Sequence, residues 1–267
     1  MTEQLAVGPV AQLGVVPFVV LVVAALLVGV SKTAISGVGT LSVALFASVL
    51  PARESTGALL PLLLVGDVLA VRAYRGHADR AVLLRLLPSV AAGVLLGVAF
   101  IAWTDDTVMR RTIGGLLLAV ALHHGWQQIR SRAAVHDVRQ PTPALGAPEH
   151  QHRLRTAVFG LLAGFATMVA NAGGPAMSLY LLSSGFAMLG FLGTGAWFFL
   201  LVNLVKVPFS VGLGLITADG LALDGLLALA VVAGAFAGRA LVHRIDQRAF
   251  TWLVLAFTAL ASLALLR

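Results

Sequence analysis

The chain has 267 residues, of which 59% are hydrophobic and only 11% charged, with a mean hydropathy of +0.97. Soluble domains carry roughly 25% charged residues, so this composition excludes a soluble globular protein and leaves no room for a separate soluble domain. The net charge of +7 comes mostly from arginines in short loops between apolar runs, where they orient the chain and contact anionic headgroups, so nucleic acid is not an expected partner. Cysteine is absent, which removes disulfides and thiolate metal sites; no cofactor or metal is expected. No Lys or Arg precedes Lys32 and no small-x-small site follows the first apolar run, which argues against a cleaved signal peptide.

Ten apolar segments follow in chain order, five per half: about 14–31, 36–50, 56–73, 82–102 and 108–129, then about 154–170, 174–185, 191–216, 222–242 and 248–266. Segments 36–50 and 174–185 fall short of the ~20 residues of a straight span, so each reads as a broken helix or one arm of a re-entrant hairpin. Between the halves, 133–152 is Pro-rich and polar and reads as a tether. The expected organisation is a first repeat over 1–132, this linker, and a second repeat over 153–267.

Matches in register support the repeat. Gly29 corresponds to Gly164 and Gly39 to Gly174 at an offset of 135, and Thr56-Gly57-Ala58 to Thr194-Gly195-Ala196 at 138. Gly93 and Gly97 correspond to Gly234 and Gly238 at 141. Arg72, Arg75, Arg80 and Arg85, the arginines of 130–155, and Arg239, Arg244 and Arg248 mark one face as cytoplasmic, while the 103–107 and 217–220 turns are acidic. Equivalent loops then lie on opposite sides. The fold expected is an all-α polytopic membrane protein of two inverted repeats, each with about five transmembrane or re-entrant helices. Its N-terminus is outside and the linker cytoplasmic, in a bacterial inner membrane; a homodimer is compatible with it.

Two polar interruptions stand at equivalent places, Gly29-Val-Ser-Lys-Thr-Ala-Ile-Ser-Gly-Val-Gly39 and Gly164 to Pro175 through Asn171-Ala-Gly-Gly174. Lipid offers free backbone groups no hydrogen bonds, so such breaks persist where they line a cavity or bind something, and paired breaks point to a transporter's site. Lys32 and Lys206 are the only lysines, and an ammonium at mid-bilayer costs roughly 2.5–3.5 kcal/mol. They are read as charge for a small anion, against the alternatives of snorkelling or an ion pair. Asp67, read as the one carboxylate well inside a span, is a candidate proton carrier or lysine partner. Asn203 lies on the face of Lys206. Gly37, Gly39, Gly173 and Gly174 allow backbone N–H groups to approach a ligand, and Pro175 suits a helix start facing the break. Thr33, Ser36 and Asn171 offer polar contacts. Trp197, Phe198 and Phe199 read first as core or belt. Gly93, Gly97, Gly234 and Gly238 are assigned to helix packing. His123-His124 and the 149–152 cluster lack metal-site geometry.

The stretches Val30–Gly39, Pro51–Asp67, Ala170–Met177 and Gly193–Phe199, with Asn203 and Lys206, together resemble the TauE/SafE family of sulfite exporters and toluene-sulfonate uptake permeases over about 15–265. The resemblance implies transport of a small sulfur-containing anion: sulfite, thiosulfate or a C2–C3 organosulfonate. The site residues it frames are Lys32, Thr33, Ser36, Gly37, Gly39, Asn171, Gly173, Gly174, Pro175, Trp197, Asn203 and Lys206, with Asp67 for coupling or pairing. Rival readings are a passive anion channel, an intramembrane hydrolase built on Lys32 and Ser36, and a scaffold without ligand.

Overall fold

The computed structural model describes residues 14–33, 38–133, 149–186 and 188–241, with isolated positions beyond 255. Those residues form nine α-helices and no strand: α1 (Val15–Thr33), α2 (Val38–Val49), α3 (Ala52–Tyr74), α4 (Arg80–Trp103), α5 (Asp106–Ala133), α6 (Glu149–Ala170), α7 (Gly174–Ser183), α8 (Met188–Gly212) and α9 (Ala218–Leu241). They match the first nine apolar segments to within a few residues. The tenth segment and most of the 133–152 linker lie outside the described residues.

Val15–Thr33, Ala52–His77, Arg80–Trp103, Leu189–Gly212 and Gly220–Ala240 are long and apolar enough to cross a membrane. Side chains on their outer faces, such as Leu84, Leu95, Leu229 and Phe236, are exposed, as a bilayer solvent requires. By contrast α2 and α7 have 12 and 10 residues. At 1.5 Å per residue they extend about 15–18 Å, roughly half the hydrocarbon thickness.

Packing is organised by close backbone crossings. A Cβ on Gly29 of α1 would collide with the Val231 carbonyl of α9, and one on Gly234 would collide with the Leu26 carbonyl of α1. Likewise, a Cβ on Gly93 of α4 would meet the Leu161 carbonyl of α6, and one on Gly164 the Val90 carbonyl of α4. Small residues let membrane helices pack backbone to backbone, where dispersion replaces a hydrophobic driving force. The α1–α9 and α4–α6 pairs are the most extensive helix pairings, and α3 lies between α8 and α9. Phe46, Leu59, Leu62, Leu86, Ile101, Met109 and Phe198 are fully buried between these layers.

Polar contacts sort the helix termini into two ends. At one, Arg53 donates through Nη1 to the Ile101 and Thr104 carbonyls (2.8 and 3.1 Å), satisfying the end of α4. Thr56 Oγ1 there donates to the Val169 carbonyl (3.2 Å), so α6 finishes at this end. At the other, the Asp79 N–H donates to Thr194 Oγ1 (2.9 Å) and the Tyr74 hydroxyl to the Thr33 carbonyl (3.1 Å), so α1 finishes there.

Candidate functional site

Lys32 lies in the last turn of α1, with its side chain 13% exposed. Its Nζ is 2.6 Å from Asp67 Oδ1 and 4.6 Å from the centroid of the Phe199 ring. Asp67, in the middle of α3, is fully buried. The preceding Gly66 makes room for the lysine stem, since a Cβ there would stand 2.9 Å from Lys32 Cγ. The second Asp67 oxygen accepts from Asn203 Nδ2 at 2.6 Å. An ion pair in apolar surroundings persists only when its remaining lone pairs are also satisfied, and Asn203 does this from α8.

One turn further along α8, Lys206 is 1% exposed. Its Nζ donates to the Thr167 carbonyl (2.6 Å), to Asn171 Oδ1 (2.6 Å) and, at 3.4 Å, to Asn203 Oδ1. Thr167 is in the last turn of α6, where carbonyls carry partial negative charge, and its carbonyl also accepts from the Asn171 N–H (3.1 Å). Lys206 therefore terminates α6. Asn171 follows with φ +50, the left-handed conformation that Asn tolerates after a helix end, and its Nδ2 donates to the Thr56 carbonyl (3.0 Å). The result is a continuous polar chain, Lys32–Asp67–Asn203–Lys206–Asn171–Thr56, joining α1, α3, α8 and the end of α6. With all three charged groups ionised, it holds two ammonium groups against one carboxylate.

Both interruptions border a single cavity of about 130 Å³. Ser31, Lys32, Gly39 and Thr40 come from the first break, Asn171, Gly174 and Pro175 from the second, and Asp67 and Asn203 from the spans between them. Pro175 sits in the first turn of α7, where its missing N–H has no partner to lose. Apolar walls are supplied by Val43, Leu59, Leu63, Met177 and Phe199, among others.

Not every residue singled out in the sequence reaches this cavity. Thr33 turns away, its Oγ1 donating to the Gly29 carbonyl and across to the Ala235 carbonyl of α9 (3.1 and 3.0 Å). Gly173 packs against the Ala163 carbonyl and the Thr167 side chain. Trp197 packs beside Ala70, Val71 and Ala196. Lys206 stands behind Asn171 and Asn203 rather than on the wall. Ser36 and Gly37 lie outside the described residues.

Other residues enter that the sequence did not single out as site residues. Ser31, Thr40, Thr167 and Ser178 line the cavity, as does Phe199. Phe199 is four residues before Asn203 and Phe191 and Leu192 precede it by two turns; this is the α8 stripe that faces inward. Trp197 is off that stripe, a distinction helical spacing carries. Asp67 is also not the sole buried carboxylate. Asp224, the seventh residue of α9, is 4% exposed, and its Oδ1 has no hydrogen-bond partner among the described residues. Its closeness to the acidic 217–220 turn concealed it in the sequence.

No curated protein and no solved structure matches the chain. The family model for the sulfite exporter TauE/SafE matches residues 21–265. With nearly its whole length matched and five membrane-length helices, the chain belongs to the TauE/SafE family of membrane transporters.

Proposed function

We propose that this protein is a secondary transporter that holds a small sulfur-containing oxyanion, such as sulfite, thiosulfate or an organosulfonate, in the cavity between the two breaks. The observation that carries the reading is the charge balance of the buried polar chain: two lysines face one carboxylate, and the lysine on the cavity wall is Lys32. A monovalent anion beside Lys32 brings the cluster to neutrality, which a medium of low dielectric constant favours. Asn171 and the backbone N–H groups at the start of α7 are further donors. Lys206 contributes charge from behind the wall and fixes the end of α6. Asp67 sets this balance as the ion-pair partner of Lys32.

The helix crossings support a pair of inverted repeats. Gly29 and Gly164 are equivalent by the sequence match, as are Gly93 and Gly234, and each half packs its first helix against the fourth helix of the other. The first helices α1 and α6 end at opposite ends of the bundle. In this reading the N-terminus is outside a bacterial inner membrane and the linker is cytoplasmic. Alternating access follows from movement of one bundle against the other around the cavity.

The test is uptake into proteoliposomes of labelled sulfite and of labelled ethanesulfonate. Saturable uptake with counterflow is expected, together with its loss in Lys32→Ala when uptake is normalised to folded protein in the vesicles. Unchanged uptake by Lys32→Ala removes this cavity from transport. Flux that follows potential without saturation or counterflow identifies a passive anion channel instead.

A further inference from the structure

We infer that Asp224 is a proton-binding site outside the cavity, and that pH at the Arg53 end of the bundle acts through it on the α1–α9 pair. The site stands apart from that of the anion; only its consequence for uptake rests on the chain being a transporter.

Asp224 is the seventh residue of α9 and is 4% exposed. It belongs to the stripe Asp224, Leu227, Val231 and Ala235, spaced three and four residues apart and buried throughout. Leu221, Leu226 and Leu229 take the opposite, lipid-facing side, so the carboxyl is directed into the bundle. On the same stripe, Val231 is the residue whose carbonyl meets Gly29 of α1, and a Cβ on Gly66 of α3 would stand 3.8 Å from its side chain. Val231 is therefore level with the Lys32–Asp67 pair. The Leu215 carbonyl, just before α9, meets Gly57 in the second turn of α3, so α9 starts at the Arg53 end. Asp224, two turns before Val231, lies about 10 Å nearer that end and is not among the wall residues of the cavity.

Among the described residues the buried charged side chains are Asp67, Lys206 and Asp224. Asp67 has Lys32 and Asn203, and Lys206 has Thr167, Asn171 and Asn203. Asp224 Oδ1 has no hydrogen-bond partner among the described residues. The helices packed against α9 are α1 and α3, and neither supplies a counter-ion. On α1, Lys32 is paired with Asp67. On α3, Arg53 donates to carbonyls at the end of α4, Glu54 and Arg72 are exposed, and the Tyr74 hydroxyl donates to Thr33. The other ionisable residues of α9 are Asp219, also an acid, and Arg239, in the last turn at the far end. An ionised carboxylate enclosed without a cation is so costly that the group holds a proton instead. An ionisable side chain kept inside a span marks a functional site, and this one packs in the stripe that meets α1, the helix that carries Lys32. Loss of the proton puts an uncompensated charge into that contact and loosens it.

Dicyclohexylcarbodiimide, an apolar reagent, reads the proton directly: it adds to a carboxylic acid and not to a carboxylate, taking up the acid's proton as the O–C bond forms. The full-length protein in lipid vesicles is labelled and the adducts are mapped by peptide mass. Asp224 is expected to carry the label. Asp67, ionised beside Lys32, and Asp105, ionised in water, are expected to stay unlabelled. Above the pH at which Asp224 ionises, its labelling should fall about tenfold per pH unit. Native uptake should change across that pH, whereas uptake by Asp224→Asn, neutral throughout, should not; Asp224→Ser repeats this arm where the first variant yields no folded protein. No label on Asp224 at any pH, or no more than on Asp105, overturns the proton site. A labelled Asp224 with the native pH dependence retained in both variants overturns its link to the α1–α9 pair. A native chain that takes up no anion defeats the transport function instead, and the labelling, which needs neither variant nor substrate, then decides the proton site by itself.

Discussion

Removing the Asp67 carboxylate should destabilise the protein far more than removing both charges of its ion pair. The two groups are 2.6 Å apart, and Asp67 is fully buried with its other oxygen held by Asn203. Asp67→Asn keeps the shape and an acceptor for Asn203 but strands the Lys32 ammonium next to Lys206. Leaving one buried charge without its partner costs about 3–5 kcal/mol. At about 2–4 °C per kcal/mol for a chain somewhat under this size, the midpoint of thermal unfolding should fall by roughly 10 °C. Lys32→Met should cost a similar amount, because it strands the carboxylate. The double variant Lys32→Met/Asp67→Asn removes both charges and their desolvation, so it should recover most of the loss. Intrinsic tryptophan fluorescence during heating of the detergent-purified protein reads all four species of this cycle. A double variant as unstable as the sum of the single variants would refute the pairing argument, as would an Asp67→Asn midpoint equal to that of the native chain.

Asn171→Ala loses the acceptor for Lys206 and the donor to Thr56, and puts a residue without Asn's tolerance at φ +50; a loss of about 1–3 kcal/mol of stability is expected, read as a lowered thermal unfolding midpoint. Asn171→Gly should lose less, since it relieves the backbone, and an Asn171→Gly variant less stable than Asn171→Ala contradicts the strain argument. Gly234→Val forces α9 away from the Leu26 carbonyl of α1 and should lower detergent-extracted folded yield, whereas Gly225→Ala, with open space around it, should leave the yield unchanged. The native chain has no cysteine, so single replacements report sidedness. Trp103→Cys should react with a membrane-impermeant maleimide in intact cells, and Gly76→Cys only after permeabilisation. The reverse pattern would invert the proposed orientation.

The helices and the two breaks were legible in the sequence because, in lipid, a segment must satisfy its own backbone hydrogen bonds, so length, apolarity and polar interruption are local properties. The same physics singled out Lys32, Asp67, Asn203 and Lys206, since an ionisable or amide side chain in a span is costly wherever it points. Which of them meet was decided only by tertiary structure. Lys32 takes Asp67; Lys206 closes α6 through Thr167 and Asn171; and Asn203 joins the two from a position 136 residues beyond Asp67. Those partnerships depend on how helices cross, and the crossings depend on backbone approach at Gly29, Gly93, Gly164 and Gly234; spacing marked Gly93 and Gly234 for packing but not which helix each would meet. The same crossings commit Thr33 to a carbonyl of α9 and bury Asp224. Residue type set the energetic cost of each polar group; the assembled bundle chose the partner that offsets it.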